Sequence, residues 1–494
     1  MINSKLEIPI DTEKARFEEF LNLLGNDRII FSGIFGCGKT YFLRKFFDKH
    51  AKFIPIHIYP TNYSVSKNED IFELIKYDIL FELLGHSPDL DKLEVSSLNT
   101  LVYLDSADQF EIFKNFISAI PEIGKKVMSI LQPLEHLITS LSKKIDAKQN
   151  ELTINDAKHI KDFSDKLTKK QGHVYENDFY TQLITKLIAS IKGKGHESDQ
   201  ADIEVVLIVD DLDRIDPEHI FRIINIFAVH FDVRDLNDDN KFGLDRIILS
   251  CDIDNVRLLF NSKYGTNTAF NGYIDKFYSR EVFYFDNRKM VTEAIELIVE
   301  SIQIKTKDVM PMWSNNSNDR NFLILLLKNL ILSNILNLRS LTKLHNAEYF
   351  YGTFSLHRID NRILSYQIAF FSVFQFLVHL FGGINNLVEA ITKTEFRINK
   401  RSNYFLANLL LILDWRNHKF IKEGKENSEF VYSKLPSGNT YRYQIKVTWD
   451  ENDNYSDFYT ATTTSGGEIS ILDFRRAIIS AIEAYAELTR DEEI

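Results

Sequence analysis

The stretch IIFSGIFGCGKT, from Ile29 to Thr40, constrains this chain more than any other. An apolar run enters a turn rich in glycine and leaves on lysine and threonine. Its second part, GIFGCGKT, has the spacing G-x-x-x-x-G-K-[ST], which a random chain of this length matches at a rate on the order of one percent. The flanks sharpen the signal: an apolar run that reads as a buried strand precedes the turn, and a helical pattern opens at the lysine. Glycines let the backbone curl until successive N–H groups point at one anion. The helix N-terminus adds partial positive charge. The pattern predicts a phosphate cradle made of Gly33, Ile34, Phe35, Gly36, Cys37, Gly38, Lys39, Thr40 and Tyr41. Lys39 is expected to reach the β- and γ-phosphates, and the Thr40 hydroxyl to ligate Mg²⁺. A plain strand-to-helix turn that uses glycines for geometry alone is the competing reading.

With 494 residues the chain is long enough for about two to four folding units. Hydrophobic residues make up 44% and charged residues 26%, as in an ordinary globular protein. Against 38 phenylalanines stand 9 prolines and 19 glycines, so long uninterrupted elements, mostly helical, are expected. The formal net charge of -11 argues against a general nucleic-acid binder, which needs a surplus of Lys and Arg. Direct nucleic-acid binding is not indicated. Two cysteines, Cys37 and Cys251, suggest a reducing compartment, and the cytoplasm is the expected location. A redox lock between them is conceivable; small polarisable residues that simply fit are the expectation. The opening residues, MINSKLEIPIDTEKARFEEF, lack the apolar core and cleavage site of a signal peptide.

Residues 13–24 predict a short helix ended by Gly25 and Asn26. RIIFSG reads as a buried strand, and KTYFLRKFFDKH as a helix with Phe42, Leu43, Phe46 and Phe47 on its apolar side. KFIPIHIYP reads as a second strand and NEDIFELIKYDILFELLG as a second helix with Asn68 as its N-cap. This order is the signature of a parallel sheet covered by helices. Residues 86–200, mostly helical and polar, read as an insertion. IEVVLIVDD (Ile203 to Asp211) is the continuous apolar run of a central parallel strand, and a helix with Pro217 in its first turn follows. LDRIILSCD and REVFYFD read as further buried strands. From about residue 290 to 415 the pattern is helical. The remaining residues read as a β-meander, with turns at 436–439 and 452–454, closed by the helix SILDFRRAIISAIEAYAELT. The expected fold is α/β: a parallel sheet with helices on both faces, a large helical insertion, a helical lid domain and a small α+β C-terminal region. The expected divisions are 1–85 and 201–290 for the sheet core, 86–200 for the insertion, 291–415 for the lid and 416–494 for the last region.

Two segments bear on membrane association. Residues 363–388, ILSYQIAFFSVFQFLVHLFGGINNLV, carry no formal charge and are long enough to span a bilayer. They also contain Gln367, Gln375 and His379, each costly in hydrocarbon, so a buried helix explains them at least as well. Residues 109–141 are broken by prolines and charges and read as amphipathic. A membrane-spanning role is not the expected one.

A phosphate loop that uses Mg²⁺ also needs a carboxylate at the end of a neighbouring strand, and VVLIVDDLDR supplies it. Asp210 ends the apolar run and is the expected Mg²⁺ partner, through water. Asp211 is placed to orient or deprotonate the attacking water. Hydrolases of this type often carry Glu there; Asp is one methylene shorter, so slow turnover is expected. A solvated strand end is the competing reading. Among the 13 histidines there is no paired H-x-x-x-H helix, and the chain has no G-x-S-x-G elbow.

These motifs together resemble the KAP family of P-loop NTPases, in the STAND-like branch of the additional-strand ATPases. VVLIVDDLDRIDPEHIFRIINIF resembles the family's Walker B segment, with its doubled aspartate, its LDR and its helix-opening DPE. FIPIHIYPTNYSVSKNEDIFELIKYDIL is similar to the second strand and helix, with Tyr59 or Tyr63 where the family usually has tryptophan. RIILSCDIDNVRLLFNSKYG, then YIDKFYSREVFYF, resemble the elements after Walker B, and LNLRSLTKLHN resembles the arginine-bearing helix of the lid. The resemblance covers roughly residues 10–390. It implies that the strand ending in Ser250 and Asp252 lies between the two Walker strands, so that one of these residues could sense the γ-phosphate. It implies a lid arginine at Arg339 and a second arginine at Arg214, acting within the subunit or towards a neighbour. Each has a bland alternative: a strand cap for Ser250, a surface position for Arg339, and for Arg214 an ion pair with Asp213 or Glu218. Family members often carry transmembrane helices between the Walker motifs; residues 86–200 lack a convincing span.

The resemblance implies an ATP- and Mg²⁺-dependent switch that closes a helical lid, oligomerises and works with a protein partner or effector, as bacterial relatives do in defence against phage. A remodelling motor would need faster turnover and an arginine finger in trans. A scaffold with structural nucleotide would use the C-terminal meander to bind a protein.

Overall fold

The structure, a computed structural model, describes residues 8–63, 71–85, 179–196, 203–231, 242–305, 309–313, 317–350, 358–359, 362–363, 369–398, 401–415, 429–449, 457–464 and 469–490. Asn68, the 452–454 turn and the segment 109–141 lie outside them. The chain divides into two units. One comprises Asp11–Phe35 and Lys39–Phe285; the other comprises Met1–Ile10, Gly36–Gly38 and Asp286–Ile494.

The first unit carries α1 (Asp11–Leu21), β1 (Arg28–Ser32), α2 (Lys39–Phe47), β2 (Phe53–Ile58), α3 (Ile71–Gly85) and α4 (Phe179–His196). It continues with β3 (Glu204–Val209), α5 (Pro217–Phe231), β4 (Arg246–Cys251), α6 (Ile253–Tyr264) and β5 (Phe283–Tyr284). All five strands pair in parallel, in the order β2-β3-β4-β1-β5. β4 lies between β1 and β3, as the resemblance implied. Every residue of β3 and β4 after the first is buried, which is why both read as unbroken apolar runs.

Successive side chains of a strand go to opposite faces. Ile30, Ile56, Leu207, Val209 and Leu249 join one apolar cluster with residues of α3, α4, α5 and α6. Phe31 goes to the other face, where its ring meets Phe17 of α1 at 5.1 Å and Phe42 of α2 at 5.7 Å. Phe17 also meets Phe46 and Phe283, each at 4.9 Å. Helices therefore cover both faces, and the second face is packed by a cluster of phenylalanine rings, some edge-on and some stacked. Residues 179–196, which composition assigns to the insertion, form α4. Its Leu183 and Leu187 are fully buried, and Tyr180 meets Tyr77 of α3 edge-on at 5.1 Å.

The second unit holds α7 (Arg288–Ser301), α8 (Ser317–Leu332), α9 (Leu338–Thr342), α10 (Phe371–Phe381), α11 (Ile384–Lys393), α12 (Ser402–Trp415) and α13 (Ile471–Arg490). A small sheet of β6 (Gln303–Lys305), β7 (Val309–Pro311) and β8 (Glu348–Phe350) interrupts the helices. The all-helical reading of 290–415 did not include it, because three residues are too few to show a period of two. β9 (Glu429–Tyr432), β10 (Tyr441–Trp449) and β11 (Asp457–Thr463) form the expected antiparallel meander. One apolar core runs on both sides of residue 415: Leu409 and Leu410 of α12 share it with Tyr443, Phe474 and Ile478. Asn408 ties α12 to the meander, donating to the Ala461 carbonyl (3.0 Å) and accepting the Ala461 N–H (2.9 Å).

The uncharged segment at 363–388 does not form one helix. α10 and α11 meet at 96°, because Gly382 (φ 72°) and Gly383 (φ 146°) leave the helical region. Phe371, Val373, Phe374, Phe376 and Leu377 of α10 are buried. Among the described residues no single helix is long and apolar enough to cross a membrane.

Phe17 is fully buried at the centre of its ring cluster. Phe17→Ala should cost about 3–5 kcal/mol through lost burial and the cavity left behind. Urea denaturation followed by far-UV circular dichroism checks this; a loss below about 1 kcal/mol would show that the cluster is not close-packed.

Candidate functional site

The carboxyl ends of β1, β3 and β4 are tied together within the first unit. The Gly33 N–H donates to the Cys251 carbonyl (3.0 Å), and the Ile253 N–H donates to Ser32 Oγ (3.1 Å). The Asp252 N–H donates to Asp213 Oδ2 (3.1 Å). Asp252 spends its own carboxylate on capping α6, where Oδ1 accepts from the N–H groups of Asp254 and Asn255. Of the two γ-phosphate candidates on this strand, Ser250 is the one left over. Its hydroxyl is fully buried and has no hydrogen-bond partner among the described residues. Val209 pairs with Leu249, so Ser250 stands level with Asp210, one residue beyond each.

The glycine loop leaves β1 at Gly33, and α2 opens at Lys39, as its spacing predicts. Lys39 is 5% exposed, and its Nζ donates to the Gly33 carbonyl across the loop (2.8 Å). A buried ammonium needs such an acceptor or an anion. Gly36 and Gly38 have φ of 77° and 98°, where only glycine sits without strain. Thr40 is half-buried in the first turn of α2. Ile34, Phe35 and Tyr41 are exposed, and Cys37 is buried. Tyr41 has a local partner, its hydroxyl accepting from Lys45 Nζ (3.2 Å). Neither Cys37 nor Cys251 is in a disulfide, and burial pushes the Cys251 thiol far up from its ordinary value.

Asp210 is fully buried. Its Oδ1 accepts the Asp211 N–H (2.9 Å), while Oδ2 has no partner among the described residues. Asp211 sits in the left-handed region (φ 52°), a cost of about 1–3 kcal/mol that points it away from the strand line. Its carboxylate accepts from Arg214 Nη1 (2.6 Å), and the Arg214 guanidinium lies over the Phe35 ring, 5.1 Å from its centroid. Arg214 thus pairs with neither expected partner. Glu218 pairs with Lys263 (3.3 Å), and Asp213 turns inward. The fold therefore joins Asp211, Arg214 and Phe35 into one group.

Three side chains here were not singled out from sequence. Asp213 is 8% exposed with an unpartnered Oδ1. Burial pushes its carboxyl above the usual range, against the opposing charge of Lys39 and the hydrogen bond from Asp252. The third aspartate of DDLDR was the signal for it, but it reads as an ion-pair partner for Arg214. Arg44, one turn after Thr40, donates from Nε and Nη2 to the Tyr59 hydroxyl (3.1 and 2.7 Å) and lies within the field of Asp210. Asn287 donates to the Cys37 carbonyl; nothing in its local sequence marks it. Arg339 is exposed on α9, and its backbone N–H donates to the Gly36 carbonyl (3.3 Å). Gly36–Gly38 belong with Asn287 and Arg339 to the second unit.

The residues present fit a nucleotide with a divalent cation. Asp210 Oδ2 and the Ser250 hydroxyl are buried and unpartnered. Among the described residues no group of three or more His, Cys, Asp or Glu could hold a metal by itself. That donor set suits a divalent cation held by one or two protein oxygens together with phosphate and water. The unpartnered Oδ2 also sets a test. Asp210→Asn keeps the acceptor for Asp211 and removes a buried charge, so the ligand-free chain should melt about 2–4 °C higher. Differential scanning calorimetry reads this; an unchanged or lower melting temperature would mean that the carboxylate is compensated within the fold.

Among curated proteins none matches this chain. The KAP family P-loop domain matches residues 28–282. That span opens on β1 and closes on the residue before β5, so it takes in the three strand ends that carry the glycine loop, the paired aspartates and Ser250. The match covers more than half the chain, and the chain belongs to the KAP family of P-loop NTPases.

Proposed function

We propose that this chain binds ATP with Mg²⁺ on the glycine loop and hydrolyses it slowly, the nucleotide serving as a signal rather than as fuel. The observation that carries the reading is Asp210 Oδ2, a buried carboxylate oxygen without a partner at the end of β3. Lys39 and the loop N–H groups would hold the phosphates, and Thr40 and Asp210 the metal, which supplies positive charge at the β- and γ-oxygens. Asp211 orients the attacking water. The bond from Arg214 holds its carboxylate within the same chain, which supports a slow, regulated step over a free-running one. Ser250 is the strand-end donor for the γ-phosphate.

The switch reading draws support from the loop itself. While Gly33 and Lys39 of the same loop group with the sheet, Gly36–Gly38 group with Asp286–Ile494. Arg339 is the proposed arginine contact to nucleotide from that unit. Self-association, a protein effector and a cytoplasmic setting complete the proposal, and a role in bacterial defence against phage rests on the family resemblance alone.

Four measurements test it. Lys39→Ala should abolish Mg·ATP binding in calorimetric titration. Asp211→Asn should bind ATP as before and lose hydrolysis. Steady-state turnover should stay below about 10 per second; a faster rate would favour a motor. Light scattering should show a different mass or radius with ATP than without it, and an identical profile would remove the switch.

A further inference from the structure

Asn287 stands at the N-cap position of α7, where asparagine normally accepts a hydrogen bond from the first helical N–H groups. Here its side chain makes no capping bond. Its Nδ2 donates instead to the Cys37 carbonyl in the glycine loop, and both residues are buried. One residue earlier in the loop, the Gly36 carbonyl accepts the Arg339 N–H (3.3 Å). The approach is close: a Cβ on Gly36 would lie 2.7 Å from Asn337 Nδ2, and one on Gly38 would lie 2.9 Å from Leu338 Cδ2, so either side chain would have to shift.

A peptide unit is planar and trans, so its carbonyl and its N–H point in opposite directions. Holding the Cys37 carbonyl on one side turns the Gly38 N–H to the other. Holding the Gly36 carbonyl does the same for the Cys37 N–H. An anion nest needs successive N–H groups presented together, and these two are consecutive.

We propose that Asn287 is a positioning residue for the phosphate cradle, its amide fixing the Cys37–Gly38 peptide with the N–H turned towards the phosphates of a nucleoside triphosphate. The inference rests on the reading of the loop as a phosphate site. Asn287 touches no phosphate itself; it acts through the peptide it holds.

The test is Asn287→Asp. Aspartate keeps the size of asparagine and is an equally good helix cap, but it cannot donate to the Cys37 carbonyl. Calorimetric titration of the full chain with Mg·ATP and with tripolyphosphate, which meets only the cradle, should show both dissociation constants raised about tenfold, the worth of one hydrogen bond. A buried carboxylate facing the Cys37 carbonyl should itself lower the melting temperature, so the separation is read on the uncharged Asn287→Ala, whose ligand-free melting temperature should fall by no more than about 2–4 °C while both dissociation constants rise. Asn287→Ala should show the same loss of affinity without adding a charge. Dissociation constants within about twofold of the parent in both folded variants would overturn the proposal. Lys39→Ala separates the two levels. If it abolishes binding while both Asn287 variants bind normally, only the role of Asn287 fails. If it too binds normally, the phosphate reading fails and takes the inference with it.

Discussion

Three backbone N–H groups tied across the ends of β1, β3 and β4 set the conditions for everything else in the site. The Gly33 N–H on Cys251, the Ile253 N–H on Ser32 and the Asp252 N–H on Asp213 fix where each strand stops and each turn begins. With those ends fixed, Asp210 and Ser250 lie level on adjacent strands, both fully buried. Asp210 Oδ2, Ser250 Oγ and Asp213 Oδ1 stay buried without partners. Each costs the protein about 1–3 kcal/mol, a cost that a ligand with donors or positive charge would offset.

The charges around those atoms divide between inside and outside. Lys39 is buried and engaged on the Gly33 carbonyl. Asp213 lies near it, its carboxyl pushed up by burial. Asp211 and Arg214 pair towards the surface, with Phe35 beneath the guanidinium. The two halves of the doubled aspartate are thereby given different environments by one left-handed residue. Asp210 continues the strand inward, and Asp211 turns out to meet Arg214.

Much of the fold was legible because its signals are local. The unbroken apolar runs of β3 and β4, Pro217 opening α5 and the alternating meander all report on neighbours in sequence. The three-residue strands β6 to β8 left no such trace. Gly382 and Gly383 were visible, but the 96° bend they make could not be separated from a continuous apolar helix, since composition is the same for both. In the site, the positions of the loop residues and of Asp210 at the end of β3 were legible because they follow from spacing. Asp213 and Asn287 were not, because the atoms they meet lie 39 and 250 residues away.

The sequence by itself determined that a phosphate-shaped turn stands between a buried strand and a helix, and that a strand of the same sheet ends on paired aspartates. Those properties depend on spacing and hydrophobic period. Only the tertiary structure decided that Arg214 pairs with Asp211 rather than with Asp213 or Glu218, and that Asn287 forgoes its own helix for the loop. Each of these is a choice among partners equally available in composition, and burial and register across the folded chain make that choice.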